Sequence, residues 1–197
     1  MEYIENIMQN RYSCREYKTK KIDDEVIKEI INLTRLTPSS LALEPWKFVV
    51  ISKNLDKLGE ICYNQSQVSN CSHAVVIMAR TDLKSTDEYI MNIAKTRLRG
   101  RDKFLSMIAS KADKKSKDEL EGYASLQCYM ALANLVNIAY SKGVKSCIIG
   151  GFDKEKLTKF LNLGDHLSPC IVVSLGLSDK ESPKKIRKSL EDVLIWK

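Results

Sequence analysis

Two hydrophobic rhythms interleave along this chain: apolar residues spaced for a helix face, and short uninterrupted apolar runs of the kind buried strands require. Residues 2–9 predict a short helix, and a second begins at Asp23 or Asp24, carries the stripe Val26, Ile27, Ile30, Ile31 and Leu33, and is limited by Pro38. The run 47–52 (KFVVIS) predicts a buried strand; after a helical segment around 55–63, the run 74–80 (AVVIMAR) repeats its character, and the two are expected to be neighbouring central strands. From 83 to 117 the chain is charged, with Met91, Ile93, Leu98, Phe104, Leu105, Met107 and Ile108 in an imperfect helical period, which predicts a mobile helical excursion and no separate domain. Between 118 and 142 apolar residues surround the helical wheel (Leu126, Tyr129, Met130, Leu132, Leu135, Val136, Ile138), so this helix is expected to be buried on most of its circumference and to stop at Gly143. A strand at 145–149 then runs through Gly150-Gly151 into a helix over 154–163 capped by Asp153, and 169–175 (PCIVVSL) predicts another buried strand. The tail 178–197 is basic and then amphipathic, with Leu190, Val193, Leu194, Ile195 and Trp196 too apolar to be left in water.

With 197 residues, 44% of them hydrophobic, the chain can bury a sizeable core, and no linker or repeat divides it, so 1–197 is read as one domain. Its apolar runs are far shorter than the roughly 20 residues a membrane span needs. The acidic, interrupted N-terminus does not resemble a secretory signal, which points to the cytoplasm, and six scattered Cys with only two His predict reduced, mostly buried thiols and no metal site. The formal charge of +7 favours anionic partners without choosing among them. No RNA-recognition motif, zinc finger or aromatic-interleaved basic strand is present, so nucleic acid is not the expected partner.

Several small constellations could carry chemistry. If 11–15 (RYSCR) is extended, Arg11, Ser13 and Arg15 share one side, two guanidinium forks about a hydroxyl, as a phosphate clamp requires; Lys185 and Arg187 repeat the same spacing. A solvated surface is the competing account of either pair alone. Thr37-Pro38-Ser39-Ser40 reads as a hydroxyl-bearing turn, Asn64, Gln65 and Gln67 supply amides able to donate and accept at a heterocycle's edge, and Gly150-Gly151 can form an anion-accepting nest or a plain turn. His73 and His166 are read as structural, and the lack of a Ser/His/Asp or Cys/His set argues against hydrolytic nucleophilic catalysis.

Taken in order, RYSCREY (11–17), TPSSLALEPWKFVVI (37–51), YNQSQV (63–68), SHAVVIMART (72–81), GGFD (150–153), PCIVVSLG (169–176) and KIRKSLEDV (185–193) closely resemble the FMN-dependent nitroreductase family over essentially the whole chain. The resemblance implies an α+β sandwich, a mostly antiparallel central sheet wrapped by helices, in an intertwined homodimer with flavin sites at its interface and the 178–197 tail extending over the partner. It also implies FMN as cofactor and NADH or NADPH as donor, with electron pairs passed by ping-pong hydride chemistry to a small-molecule acceptor such as a nitroaromatic or quinone. By position, Arg11, Ser13, Lys185 and Arg187 would hold the FMN phosphate and ribityl chain, while Arg15, Asn64 and Gln67 would face the pyrimidine edge. Ile149, Gly150 and Gly151 would lie at flavin N5 and O4, and Pro38, Ser39 and Ser40 would approach from the other subunit. Phe104 resembles the family's substrate-covering aromatic, with Tyr63 lining the same pocket; no side chain is expected to be catalytic in itself, since the flavin carries the chemistry.

Three segments depart from the family pattern. Leu41-Ala42-Leu43 is more apolar than the usual polar tripeptide, Gly150 stands where some members have an acid, and Ile186 replaces a frequent proline. The first two touch the substrate pocket, so a superfamily flavoprotein with another acceptor (enone reductase, dehalogenase or flavin-processing enzyme) is the alternative, with a non-catalytic FMN- or nucleic-acid-binding protein beyond it.

Overall fold

The computed structural model describes residues 3–96 and 100–197; residue 2 and Leu98, which entered the expectations above, lie outside them. Four strands, β1 (Trp46–Ile51), β2 (His73–Arg80), β3 (Lys145–Ile149) and β4 (Leu167–Gly176), form one sheet in the order β1-β2-β4-β3, antiparallel throughout. β2 is buried at every position but its last because both faces are covered. Its Val75, Ile77 and Ala79 join one apolar cluster and Ala74, Val76 and Met78 another, the period-two alternation of a pleated strand between two layers. β1 differs from expectation: it neighbours β2 but lies at the sheet edge, and Lys47 and Val50 are exposed.

Between Ile77 and Met78 the β2–β4 register shifts: Ile77 faces Ile171, Met78 faces Pro169, and Cys170 is the extra residue of a bulge. Pro169 has no N–H to give a ladder, and it lies beyond the five residues of β3 that flank β4 on the other side, where no neighbour needs that donor.

The helices are α1 (Tyr3–Asn10), α2 (Asp24–Thr34), α3 (Leu55–Ile61), α4 (Ser66–Ser69), α5 (Glu88–Thr96), α6 (Arg101–Ala112), α7 (Lys117–Ser141) and α8 (Lys154–Leu161). The predicted 55–63 segment is α3, ending at Ile61; the short α4 was not expected, and it follows a turn through Tyr63 and Asn64, both left-handed with φ of 57° and 58°. α7 starts at a capping box in which Ser116 accepts from the Glu119 amide and the Glu119 carboxylate accepts from the Ser116 amide. It ends at Gly143, whose φ of 74° suits glycine. One face of α7 (Leu120, Ala124, Cys128, Ala131, Leu135, Ala139) is buried in the larger cluster, but Leu126, Tyr129 and Met130 stand exposed, Leu126 by 72%. The expectation of near-complete burial therefore fails within one chain. The tail after Gly176 forms no regular element and leaves Leu190, Ile195 and Trp196 largely exposed, Trp196 by 87%.

Candidate functional site

The 11–15 segment is extended beside β3. Ser13 bridges Ser146 in parallel and the Cys14 amide donates to the Ser146 carbonyl at 2.9 Å, so the segment pairs with β3 at this one point. Burial is the largest influence on the Cys147 thiol and pushes it up, while the nearby Arg15 charge, Ser13 and Gln67 act in the opposite sense. Gln67, buried, also donates to Gln65 Oε1 at 2.9 Å, and Gln65 donates in turn to the Gly151 carbonyl at 3.0 Å. A Cβ added to Gly151 would sit 3.5 Å from Gln65 Nε2 and from the Tyr63 ring. Ser13 thus lies beside the first half of β3, Tyr63 and Gln65 lie at Gly151 just beyond its last residue, and Gln67 is tied to Gln65; Ile149 is buried and the two glycines are exposed, while no side-chain hydrogen bond or ion pair among the described residues joins Asn64 to this group.

The start of the tail is laid against the same segment. Lys18 N donates to Leu177 O at 2.8 Å, Tyr12 Oη to Lys180 O at 2.8 Å, and two ion pairs, Lys18–Asp179 and Lys180–Glu16, lie alongside. This path carries Lys185 to Arg11 and to the end of α1, where its ammonium donates to the Met8 carbonyl. Burial first, then the charges of Arg11 and Arg187, hold the Lys185 ammonium below the usual lysine range. Among the described residues none of Arg11, Arg15, Lys185 or Arg187 forms an ion pair with a carboxylate. Arg11, Lys185 and Arg187 are thus neighbouring cations that repel one another with no described carboxylate paired to them, an arrangement that an anion would stabilise.

Pro38, Ser39 and Ser40 lie elsewhere, on the flank of α7. The Ser40 amide donates to Gln127 Oε1 at 2.9 Å and Asn134 Nδ2 to Thr37 Oγ1 at 2.8 Å. The following residues are strained: Leu41, Ala42 and Glu44 all have φ between 46° and 55° without a glycine among them. Ser39 Oγ accepting from the Glu44 amide, and Tyr89 Oη donating to the Leu43 and Glu44 carbonyls, hold that geometry. Gln127, Asn134 and Tyr89 escaped the sequence reading because nothing local marks them. No hydrogen bond or ion pair among the described residues joins this loop to the Arg11 group of the same chain.

Phe104 is not presented to that site in the isolated chain. It is 4% exposed and packed in the larger apolar cluster, so α6 turns it inward. A groove of about 510 Å³ between α2 and β1, floored by Ile27, Ile31 and Val50, contains none of the predicted residues. His73 confirms its structural reading: its ring links Ser72 Oγ at 3.0 Å to Asp24 Oδ1 at 2.9 Å. That row of Ser, His and Asp was not visible in the sequence, but Ser72 is buried and already accepts from the Ile22 amide, so it fastens α2 to β2.

The fold is an α+β sandwich with a cluster of cations, none paired with a described carboxylate, at the junction of α1, the 11–15 segment and the tail. The nitroreductase family model matches residues 8–177, and the chain belongs to that family. A relative from Staphylococcus haemolyticus, provisionally named an NAD(P)H nitroreductase, is 34% identical over 216 aligned positions covering 99% of this chain and 97% of its own. Among solved structures, a nitroreductase family protein from Streptococcus pneumoniae superimposes with a TM-score of 0.88 at 22% identity over 100% of both chains. A provisionally named nitroreductase from Exiguobacterium sibiricum, crystallised with FMN, superimposes at 0.85 and 22% identity over 100% of this chain and 98% of that one.

Proposed function

We propose that this protein is a cytoplasmic, homodimeric, FMN-containing NAD(P)H oxidoreductase that passes electron pairs to nitroaromatics, quinones or similar small acceptors. The observation that carries the reading is the convergence of Arg11, Lys185 and Arg187 without a carboxylate, which suits a phosphate dianion. The donor set fits the rest of the cofactor: a hydroxyl at Ser13, an amide at Gln67 and a cation at Arg15 for the polar edge of a ring, and two exposed glycines that let a flat ligand lie close. The name of the S. haemolyticus relative and the FMN of the E. sibiricum protein point the same way.

When bound, FMN supplies the two-electron chemistry. The chain itself binds, orients and stabilises charge. Arg11, Lys185 and Arg187 anchor the phosphate; Arg15 stabilises negative charge at the pyrimidine edge; backbone N–H groups at Gly150 and Gly151 offer donors at the reacting end. Gln65 and Gln67 hold one another, so the amide facing the ring is oriented before the ligand arrives. Leu41, Ala42 and Leu43 make the wall offered to an acceptor apolar, and this favours the second reading, an enone or other less polar acceptor. The exposed apolar face of α7 and the apolar tail end are the surfaces a second copy would cover. Among the described residues no helix is long and apolar enough to cross a membrane.

The test is an anaerobic absorbance spectrum of the FMN-reconstituted protein, followed by NADH and NADPH in separate cuvettes and then a panel of nitro, quinone and enone acceptors. Bleaching by either nucleotide and reoxidation by a nitro compound or quinone are expected. Bound flavin that resists both nucleotides would refute the reductase, and turnover of enones alone would select the second reading.

A further inference from the structure

Gln65 is not among the expected cofactor contacts, yet its side chain meets three separate parts of the chain. The left-handed turn at Tyr63 and Asn64 brings it back to the end of α3, where its Nε2 donates to the Cys62 carbonyl at 3.0 Å. The same nitrogen donates to the Gly151 carbonyl at 3.0 Å, and its Oε1 accepts from Gln67 Nε2 at 2.9 Å. A second bond, from the Asp153 amide to Ile61 O at 2.9 Å, ties the loop after β3 to the same corner.

These partners fix the sense of both amides. A carbonyl oxygen only accepts, so the end of Gln65 that meets two carbonyls is its NH2 group and the other end is its oxygen. The atom of Gln67 that faces this oxygen is then a donor, Nε2, and what Gln67 has left to offer is Oε1. Among the described residues no donor reaches that oxygen, although Gln67 is only 7% exposed. No buried side-chain oxygen of the described residues lacks a partner, so Gln67 Oε1 opens at the protein surface. A nearly buried amide held by its nitrogen and open at its oxygen is a preset hydrogen-bond acceptor. Asn64, exposed and without a side-chain hydrogen bond among the described residues, is preset in neither sense.

We infer that Gln65 is a positioning residue for cofactor recognition: it locks Gln67 with its carbonyl oxygen outward, so that the site reads an N–H on the ligand's polar edge. The inference rests on the proposed FMN reading, in which Gln67 faces the pyrimidine edge of the ring. That edge carries one donor, N3–H, between two carbonyl oxygens. Arg15 can serve only the oxygens, because a guanidinium has no acceptor, and Gln67 Oε1 can serve only the N–H. An unheld Gln67 amide can turn either end outward, and its NH2 group would meet N3–H donor to donor. Gln65 removes that state before the ligand arrives, which lowers the ordering required on binding.

The test uses full-length protein with FMN and with 3-methyl-FMN, whose N3 carries a methyl group in place of the proton. Fluorescence titration should show that wild-type protein prefers FMN. Gln65→Met keeps the length of the side chain and removes its hydrogen bonds; it should weaken FMN binding by roughly 2- to 12-fold, the net contribution of one hydrogen bond, and shrink the preference. In the Gln67→Met background the same substitution should have little further effect, because Gln65 acts through Gln67. With 15N-labelled FMN, the N3 proton should exchange slowly in wild-type protein by NMR and rapidly in Gln65→Met, a change that a residue merely propping the loop would not produce. Gln65→Ala should behave in the same way and replaces Gln65→Met if that variant does not fold. Equal losses for the two flavins on substitution of Gln65, or the same loss with and without Gln67, would overturn the inference and leave the FMN reading standing. Wild-type protein that binds both flavins equally, or whose bound N3 proton exchanges freely, would do so too, whereas wild-type protein that binds neither flavin would overturn both.

Discussion

Replacing Arg11 by Ala separates a phosphate site from an ordinary basic surface. In the free protein Arg11 and Arg187 depress the Lys185 ammonium, so the three charges repel, and no described carboxylate would lose its partner on substitution. Removing Arg11 should leave the stability of the free protein unchanged or slightly raised. In the complex the same side chain contributes a charge-assisted hydrogen bond, a contribution of about 1.5–3 kcal/mol. FMN dissociation constants should therefore rise by roughly 10- to 150-fold, and the wild-type affinity should be the more salt-sensitive of the two. Flavin fluorescence titration at several ionic strengths measures this, with riboflavin as control because it lacks the phosphate. Riboflavin affinity should be the same in both proteins. Unchanged FMN affinity would refute the clamp, and an equal loss for FMN and riboflavin would show that Arg11 shapes the site without touching a phosphate.

Lys185 makes the clamp pH-dependent in two opposite senses. Its folded-state value is depressed, so just below the ordinary lysine value of 10.5 the unfolded chain binds more protons and the free fold gains stability as pH rises; FMN binding, which favours the charged ammonium, should weaken over the same window. Urea melts and FMN titrations between neutral pH and that value would show whether the slopes are opposite, and Lys185→Met should flatten both. Gly176→Ala would place a Cβ 2.4 Å from the Tyr17 ring, whose hydroxyl is hydrogen-bonded to Ser174 at 2.9 Å, so a loss of about 2–3 kcal/mol in urea unfolding is expected. Ser116→Ala breaks the α7 capping box and should cost about 1 kcal/mol in the same assay, with flavin affinity preserved.

Much of the fold could be read from the chain because local pattern and tertiary role coincide. β2 reads as an unbroken apolar run because two layers cover it, and β3 begins and ends at the predicted residues because a glycine closes each side. Edge position is another matter. The run 47–52 is almost as apolar as 74–80, and only the exposed Lys47 and Val50 betray an uncovered side. Strand periodicity made a pairing of the 11–15 segment legible, and Ser13 does bridge β3, whereas the arrival of Lys185 depended on Tyr12 reaching Lys180, a contact 168 residues long in sequence. The loop at 39–44 was illegible for a related reason. Its left-handed residues carry no glycine signal, and the groups that stabilise them, Gln127 and Tyr89, come from 87 and 46 residues away. Phe104, which the family resemblance made a substrate-covering aromatic, is packed in the apolar core of the single chain, a role that its charged surroundings in sequence do not announce.

The long helix leaves an apolar face uncovered in the single chain, and if a second copy covers it, assembly and cofactor binding would be linked. Its wheel is apolar all round because it has two separate surfaces: Leu120, Ala124, Cys128, Leu135 and Ala139 against the sheet, and Leu126, Tyr129 and Met130 left in water. Gln127 and Asn134, which hold the 37–40 turn, lie along the same helix. If a second copy covers the outer face, it receives that turn, and the Pro38, Ser39 and Ser40 contacts to FMN then come from across the interface. Leu190, Ile195 and Trp196 would add to the interface, each fully buried apolar side chain contributing about 1.5–3 kcal/mol. FMN should then bind the dimer more tightly than the monomer and, by mass action, FMN should favour dimerisation. Leu126→Asp combined with Tyr129→Asp should give a monomer by sedimentation that binds FMN weakly, although neither residue is among the predicted cofactor contacts, and truncation after 188 should do the same while keeping Lys185 and Arg187. A folded monomeric variant with undiminished FMN affinity would show that each chain holds a complete site, and the strain at Leu41, Ala42 and Glu44 would need another explanation.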